Sequence, residues 1–469
     1  MGACEQLEVG LGYGDATKDD DGHPRRTGTL WTASAHIVTA VIGSGVLSLA
    51  WSMAKLGWVA GPLVLLVFAF ITYFTSLLLA DCYRSSDGKR NYTYMGAVRS
   101  ILGEGHTKFC AIAQYGNFVG IAIGYTITAS ISLMAITKST CYGLEGEHAN
   151  CDSSTKRYMI IFGVIQVILS QIPSFSKLWW LSIVAALMSF LYSSISIALG
   201  ISKYLDRSQS HVTKGMHTSE SLSKSSFWLV FQAMGNIAFA YSYSMILVEI
   251  QDTIASIPAK EGQTMKKANL VGISTTTIFY MLCGCVGYAA FGKEAPGNLL
   301  TGFESYKMFW LVDLANACVV IHLLGAFQVF CQPLFAFIEA SISTRFPKAL
   351  LIHKVYKIRT PTRVLCQFQP FHMLGRTTFI FLVTLVAMLM PFFNDILGIV
   401  GALSFWPLTI YFPIQMHISR SKIQMLSPRW LLLEGLTFTC FIVSVVSLLG
   451  SVQSVIASLH KYRHLHAHD

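Results

Sequence analysis

The stretch that most constrains this chain covers residues 34–51, which are apolar enough to cross a lipid bilayer but carry Gly43-Ser44-Gly45 at their centre. Two glycines around a serine weaken a helix. Backbone groups freed at that depth are tolerated only where protein or a water-filled cavity receives them. These residues alone allow two interpretations: a broken helix that presents its backbone to a substrate, or a small-residue patch for close helix packing.

The composition is that of a membrane protein. Of the 469 residues, 53% are hydrophobic and only 12% are charged, whereas soluble proteins are about a quarter charged. The net charge of +10 does not indicate a nucleic-acid partner, because Lys and Arg lie mainly between apolar segments, where they set membrane orientation. Cys283 and Cys285 resemble half a metal site but lie inside an apolar segment without a partner pair, so no metal is expected.

Eleven segments are predicted to span the membrane, since a span needs about 20 apolar residues. They are residues 31–56, 59–82, 109–137, 158–173, 179–202, 228–254, 268–291, 308–338, 375–391, 395–418 and 430–456. Most Lys and Arg then lie on the side of the N-terminus, which places that side in the cytoplasm. The predicted domains are a cytoplasmic tail (1–29), a transmembrane domain (30–456) and an extracellular tail (457–469).

The sixth span repeats the unusual pattern of the first. Between Gly235 and Ser244, small and hydroxylated residues replace the leucines expected in a span. Paired interruptions at the start of two five-helix halves indicate an inverted-repeat transporter. The repeats are predicted over about 31–202 and 228–418, with the helix over 430–456 added. This pairing favours the substrate-binding interpretation of the first break.

Few ionisable residues lie within the spans, and such residues indicate function by default. His36 shares a helix face with the first break and titrates near neutral pH, although a neutral histidine bonded to a neighbouring helix is the alternative. Glu249 is the deepest carboxylate and is predicted to carry a proton or to pair with a basic residue that holds a gate. Asp252 lies nearer the cytoplasm and is predicted to be a gate or a loop anchor. Asp313 is predicted to line the outer vestibule.

Other polar residues have structural interpretations. His322 is expected to be structural, Asp395 to cap a helix N-terminus, and Glu434 to lie at the membrane interface. Cys141 and Cys151 fall in one predicted outer loop in an oxidising compartment, which predicts a disulfide.

The third span has a smooth face of three glycines, Gly116, Gly120 and Gly124, which is typical of close helix contact. Asn117 and Tyr125 border this face. The Tyr125 hydroxyl is predicted either to meet a substrate carboxylate or to be satisfied by backbone.

Many short segments match, in order, those of a known family. They are residues 26–29, 31–36, 40–51, 91–95, 171–175, 238–242 and 391–394. In these the chain resembles the plant amino acid permeases, which belong to the amino acid/auxin permease group. The resemblance implies proton-coupled uptake of neutral and acidic amino acids across the plasma membrane. It also implies an all-α, LeuT-type fold of eleven transmembrane helices, with a 5+5 inverted repeat, broken helices 1 and 6, and one extra helix.

The resemblance implies three sets of substrate-binding residues. The carboxylate-binding set supplies backbone N–H groups at the positive end of a half-helix and comprises Ile42, Gly43, Ser44 and Gly45. The ammonium-binding set supplies carbonyl groups and comprises Phe239, Ala240 and Ser242. The selectivity set lines the pocket for the substrate side chain and comprises Asn117, Tyr125, Tyr243 and Asn316.

The sequence therefore predicts a monomeric proton–amino acid symporter in the lipid bilayer, with alternating access, the proton as coupling ion and no cofactor. Sodium coupling is disfavoured because residues 318–321 of the eighth span offer no Ser or Thr. An enzyme is not expected, since no nucleophile–base pair lies at a common depth. The alternatives are a transporter of auxin, proline-type or lysine/histidine substrates, and an amino acid receptor that transports nothing.

Overall fold

Long apolar helices make up this computed structural model, which describes residues 19, 21, 25–85, 87–145, 151, 154–171, 179–211, 224–255, 261–303, 309–346, 356–359 and 364–466. The helices of the first half are α1 (Leu30–Val41), α2 (Gly45–Asp81), α3 (Tyr94–Leu102), α4 (Glu104–Glu145), α5 (Thr155–Ser170) and α6 (Trp179–His211). Those of the second half are α7 (Lys224–Ala240), α8 (Leu247–Gln251), α9 (Glu261–Phe291), α10 (Phe309–Arg345), α11 (Pro370–Leu389), α12 (Phe393–Ser404), α13 (Phe412–Ser421) and α14 (Pro428–His466).

The predicted all-α membrane fold is confirmed in the part of the chain that the structure describes. Nine helices there are long and apolar enough to cross a membrane, by length and composition. Eleven crossings stay a prediction, because α5 over the fourth predicted span has only 16 residues. Two details differ from the sequence prediction: α14 continues to His466, and the loop 339–376 contains an antiparallel hairpin of β1 (Tyr356–Arg359) and β2 (Val364–Phe368). The domain boundaries stay predictions.

Both predicted helix breaks are present. The first span stops at Val41, Ile42 leaves the helical conformation, and α2 restarts at Gly45. The sixth span stops at Ala240 and continues through a 3₁₀ turn, Ser244–Ile246, into α8. The two breaks lie side by side, because a Cβ added at Gly45 would approach Ala240 Cα to 3.0 Å. Only glycine allows this contact without a shift of backbone.

The boundary between the first two spans is a glycine kink. Gly57 has φ 86° and ψ 175° inside α2, a left-handed conformation that glycine adopts at little cost. The kink lies between the predicted segments 31–56 and 59–82, and the helix continues through it to Asp81, so the division into two spans there stays a prediction.

Glycines also bring α4 and α7 against α12. A Cβ on Gly120 would lie 2.4 Å from Val400 Cγ2, and one on Gly401 would lie 2.1 Å from the carbonyl oxygen of Gly235. Gly116, by contrast, faces open space. The close-packing interpretation of the third span therefore fits Gly120 but not Gly116.

Two predictions made outside the breaks have clear outcomes. Cys141 and Cys151 form the predicted disulfide. Asp395 was expected to cap a helix, but its carboxylate accepts hydrogen bonds from Gln232, Ser454 and Ser458. Asp395 is not the cap, because α12 begins at Phe393, but it does lie in the first turn, where a carboxylate is stabilised by the positive helix end.

Candidate functional site

A small cavity lies where the two helix breaks meet. It is lined by Ala40, Val41, Gly43, Ser44, Gly45, Ile121, Tyr125, Phe239, Ala240, Ser242 and Phe330. Seven of the predicted substrate-binding residues are in this set, namely Gly43, Ser44, Gly45, Tyr125, Phe239, Ala240 and Ser242. The cavity volume is about 10 Å³, room for about one water molecule. Its walls must therefore separate before an amino acid can enter.

The first break has only part of its backbone N–H groups available. The N–H of Ile42 donates to Val38 O at 2.7 Å, and that of Gly43 donates to Val41 O at 2.8 Å. Gly45 begins α2, and the first N–H groups of a helix have no acceptor within it. Of the predicted carboxylate-binding set, Ser44 and Gly45 are thus the residues whose N–H groups fit this role, because they lie at the positive end of α2.

Tyr280 of α9 connects the two breaks. Its buried hydroxyl lies within hydrogen-bonding distance of the carbonyl of Val41, in the first break, and 2.9 Å from that of Ala240, in the sixth. A hydroxyl has one proton to donate. The carbonyls of Val41 and Ala240 therefore share a single donor, which holds the two breaks next to each other.

A second group of side chains holds the carbonyls of the first break from the other side. Ser189 Oγ lies 2.9 Å from Ile42 O, and the Tyr192 hydroxyl lies 3.1 Å from the carbonyls of Ile42 and Gly43. Both residues are on α6. These hydroxyl donors occupy carbonyl groups that an unwound helix would otherwise leave unpaired.

His322 of α10 completes this group. Its Nδ1 lies 2.9 Å from Ala185 O and 2.8 Å from Ser189 Oγ, so this nitrogen carries the proton. The Ser189 hydroxyl has the carbonyls of Ile42 and Ala185 as acceptors, each at 2.9 Å. Its Nε2 is buried without a partner in the described residues and would lie 3.7 Å from a Cβ at Gly43. An acceptor nitrogen therefore faces the first break, which the structural interpretation of His322 missed.

Four predicted substrate-binding residues lie outside the cavity lining. Ile42 contributes backbone only. Asn117 donates to Met245 Sδ at 2.7 Å and faces a separate, mainly apolar cavity of about 590 Å³. The Tyr243 hydroxyl pairs with Ser76 Oγ at 2.8 Å, and Asn316 donates to Val312 O of its own helix at 3.0 Å. Their assignment to substrate stays a prediction.

A larger cavity of about 340 Å³ lies beside the substrate cavity. Three residues predicted for proton transfer or gating, His36, Glu249 and Asp252, line it together. Ala40 and Phe330 line both cavities. The Phe330 ring, which packs 6.1 Å from the Tyr125 ring, therefore forms a wall between them.

Glu249 is held at the start of a short helix. Its Oε1 accepts the N–H of Tyr94, the first residue of α3, at 3.1 Å. Its Oε2 is buried and has no hydrogen-bond partner in the described residues. One carboxylate oxygen is thus fixed by a helix N-terminus, and the other is available to a proton.

Asp252 takes part in an ion-pair latch with the segment before α1. Arg26 contacts Asp252 Oδ1 at 2.9 Å, and Tyr83 donates to the same oxygen at 2.6 Å. Burial alone would lower the pKa of Arg26, but Asp21, Asp19 and Asp252 raise it above its ordinary value. Arg26 therefore stays protonated at physiological pH.

Asp313 lies elsewhere, in a cavity of about 120 Å³ lined by Lys138, Ser139 and Tyr142 among others. Its Oδ2 accepts a hydrogen bond from Ser139 at 2.7 Å. Tyr142 directly follows Cys141, which places the disulfide at the same end of α4.

Comparisons with known proteins agree with this geometry. The family model described as "Transmembrane amino acid transporter protein" matches residues 26–457. "Amino acid permease 6" of Arabidopsis thaliana is 54% identical over 461 residues, 96% of this chain and 95% of the relative.

Two solved structures share the fold at 13% identity each. MhsT in complex with L-phenylalanine has a TM-score of 0.56, covering 92% of this chain and all of that one. Mhp1, a nucleobase-cation-symport-1 family transporter, has a TM-score of 0.52, covering 93% of both chains. The LeuT-type fold is thereby confirmed. The match to the family model and to the permease confirms the prediction of a transporter rather than an enzyme. Two broken helices around a shared cavity, with a family match along nearly the whole length, establish that the chain belongs to the transmembrane amino acid transporter protein family.

Proposed function

We propose that this protein is a proton-coupled symporter that imports neutral and acidic amino acids across the plasma membrane by alternating access. The observation that carries the proposal is the cavity between the two breaks. It offers N–H groups at the start of α2 on one side and carbonyl groups after α7 on the other. Such a pair of surfaces matches the carboxylate and the ammonium of an α-amino acid.

A proton as coupling ion is supported by the state of the break carbonyls. The carbonyls of Val41, Ile42 and Gly43 already lie within reach of tyrosine or serine hydroxyls. A sodium ion would have to displace these donors, because it needs the same carbonyl oxygens. Glu249, with one unpartnered carboxylate oxygen in the neighbouring cavity, is a group that can receive a proton.

The wider setting is part of the proposal. The relatives named amino acid permeases support amino acids as substrates, and a plant plasma membrane is the proposed location. The N-terminus is proposed to be cytoplasmic and the C-terminus extracellular, and the monomer is proposed to be the functional unit.

Current in voltage-clamped oocytes tests the proposal. Alanine, glutamate, lysine and an auxin are applied at about pH 5.5 and about pH 7.5, with and without sodium. Inward current with alanine and glutamate that grows at acid pH and ignores sodium is expected. Substrate binding without current would favour an amino acid receptor, and current with lysine or the auxin alone would change the substrate class.

A matched pair of variants ties the current to the cavity. Ser44→Leu adds a side chain that a volume of about 10 Å³ cannot hold, so alanine current should disappear while the protein still reaches the cell surface. Ala35→Leu makes a similar addition on an exposed position of α1 and should transport normally. Normal transport by Ser44→Leu would show that the substrate binds elsewhere.

A further inference from the structure

A line of polar side chains, buried except for two half-buried serines, runs between α7, α12 and α14, which pack against one another. We call this line the polar seam, and it comprises Gln232, Asn236, Asp395, Ser451, Ser454 and Ser458. The three serines are spaced three and four residues apart, so they share one face of α14. The seam begins at Asp395, on the predicted outer side, and reaches Asn236, one turn before the end of α7 at Ala240.

Asp395 is a buried carboxylate, 6% exposed, that contacts neutral donors in the described residues. Gln232 Nε2 lies 2.6 Å from its Oδ1, Ser454 Oγ lies 2.8 Å from the same oxygen, and Ser458 Oγ lies 2.8 Å from its Oδ2. Ionisable groups within a membrane span are costly and are kept where they serve a function. No cation of the described residues forms an ion pair with this carboxylate, so hydrogen bonds from neutral side chains are its polar contacts there.

The charged and titratable residues of the surrounding helices lie mainly toward the helix ends. Along the sequence, α7 carries Lys224 eight positions before Gln232. Helix α14 carries Arg429 and Glu434 near its start and, after Ser458, the exposed His460 followed by Lys461, Arg463, His464 and His466. Helix α4, which packs against α12 as well, carries Lys138, which lines the cavity of Asp313.

The seam can pair with Asp395 in either protonation state. Gln232 Oε1 and both side-chain polar atoms of Asn236 are buried without a hydrogen-bond partner in the described residues. A Cβ on Gly398 would lie 3.1 Å from Asn236 Oδ1 and 3.3 Å from Gln232 Cγ, so both amides lie beside the first turn of α12. A serine hydroxyl donates or accepts, and a turned Gln232 amide would present its free oxygen to a protonated carboxyl.

We propose that Asp395 is a proton-binding site that exchanges with the outer solution and passes its state to the substrate cavity through Gln232. A proton from external water joins a carboxylate oxygen and forms an O–H bond; no other covalent bond changes. The carboxyl then loses one acceptor position, so Gln232 Nε2 loses its acceptor and the amide must turn to present Oε1 to the new O–H group. Helix α7, which carries Gln232, ends in Phe239 and Ala240, which line the substrate cavity, so a rearrangement at Gln232 reaches that cavity along the same helix. The inference rests on the proposed proton coupling and deepens it.

The test is the dependence of alanine current on external pH in oocytes, with surface protein quantified. Asp395→Asn removes the titrating oxygen, so the acid stimulation of current is expected to disappear while alanine exchange without a proton gradient continues. The matched control is Glu434→Gln, which alters a carboxylate of α14 that also accepts from a glutamine, Gln415 of α13, at 2.7 Å. This control should keep the pH dependence of the unaltered chain.

Ser454→Ala and Ser458→Ala keep the carboxylate and test the site even if Asp395→Asn does not reach the surface. Each removes one donor to the charged form, so the external pH at half-maximal activation should rise by about one unit. A purely structural seam would lower the current without moving that pH. Acid stimulation retained in Asp395→Asn, or an unmoved midpoint in both serine variants, would overturn the inference. Lack of acid stimulation in the unaltered chain would instead defeat the proposed function.

Discussion

Tyr280 shows at the scale of one residue how the two breaks depend on each other. Its hydroxyl faces the carbonyls of Val41 and Ala240, and both are buried. Tyr280→Phe leaves these carbonyls without their donor, which costs about 1–3 kcal/mol. Because substrate must then order both breaks itself, the KM for alanine should rise about tenfold, with a smaller change in maximal current.

Tyr241→Phe is the matched control for that prediction. The Tyr241 hydroxyl donates to Thr277 Oγ1 at 3.1 Å, and its ring packs 5.3 Å from that of Tyr280. Tyr241→Phe removes a hydroxyl from the same region but leaves the donor to the carbonyls of Val41 and Ala240 in place. Uptake measured over a range of alanine concentrations separates the two variants, and equal KM values would contradict the role given to Tyr280.

The part of the site that is formed by backbone groups could be predicted from the sequence. Small residues in the middle of an apolar span mark both breaks, and seven predicted residues line one cavity. Tyr280 and His322 could not be found this way, because their roles depend on neighbours from distant parts of the chain. In the sequence, Phe330 does not differ from the other apolar residues of its span. Its role becomes visible in the structure, where it lies between two cavities. The prediction that Asn117, Tyr243 and Asn316 bind substrate depends on their span and polarity, which do not fix the direction of a side chain.

At the scale of helices, glycine sets how closely α7 and α12 approach. A Cβ on Gly401 would lie 2.1 Å from Gly235 O and 2.5 Å from Phe239 N. Both are backbone atoms, so Gly401→Ala must push the helices apart beside the sixth break. Transport should be lost, and the purified protein should be destabilised by about 3 kcal/mol, the upper range for overpacking.

Gly116→Ala provides the comparison, since a Cβ there meets no described atom within 4 Å. Thermal unfolding of the two variants in detergent, together with alanine uptake, measures the difference. Similar unfolding temperatures for Gly401→Ala and Gly116→Ala would contradict the packing argument.

Helix boundaries followed from the sequence where glycine interrupts an apolar run, as at Gly57 and at the first break. The sequence did not predict the boundaries that depend on tertiary contacts. The hairpin of β1 and β2 lies in a stretch interpreted as a plain loop, and α14 runs beyond its apolar segment. Asp395 was given a local role as a cap because the sequence does not reveal that α14 supplies its partners.

At the scale of the whole molecule, the segment before α1 closes over the end of the sixth span. Gly28 donates to Thr253 O at 2.9 Å, and the Gly28 carbonyl accepts the N–H of Ala255 at 2.8 Å. With the Arg26–Asp252 pair, these contacts join two distant parts of the chain beside the cavity of His36 and Glu249. Opening of that cavity to the cytoplasm should require their release.

Arg26→Gln tests this latch in a background carrying Ala40→Cys, a position that lines both cavities. Loss of the guanidinium leaves Asp252 without its ion pair, which costs about 2 kcal/mol once the partial exposure of Asp252 is allowed for. Labelling of the new cysteine by a thiol reagent in inside-out vesicles should therefore become about thirtyfold faster. Arg99→Gln, which breaks a solvent-exposed pair with Glu104, should leave the rate unchanged.

Because the pKa of Arg26 is raised and burial also raises that of Tyr83, both stay protonated between about pH 5.5 and 7.5. Any dependence of the labelling rate on pH should then persist in Arg26→Gln, and an acid-dependent rate abolished by Arg26→Gln would place proton sensing in the latch rather than within the spans.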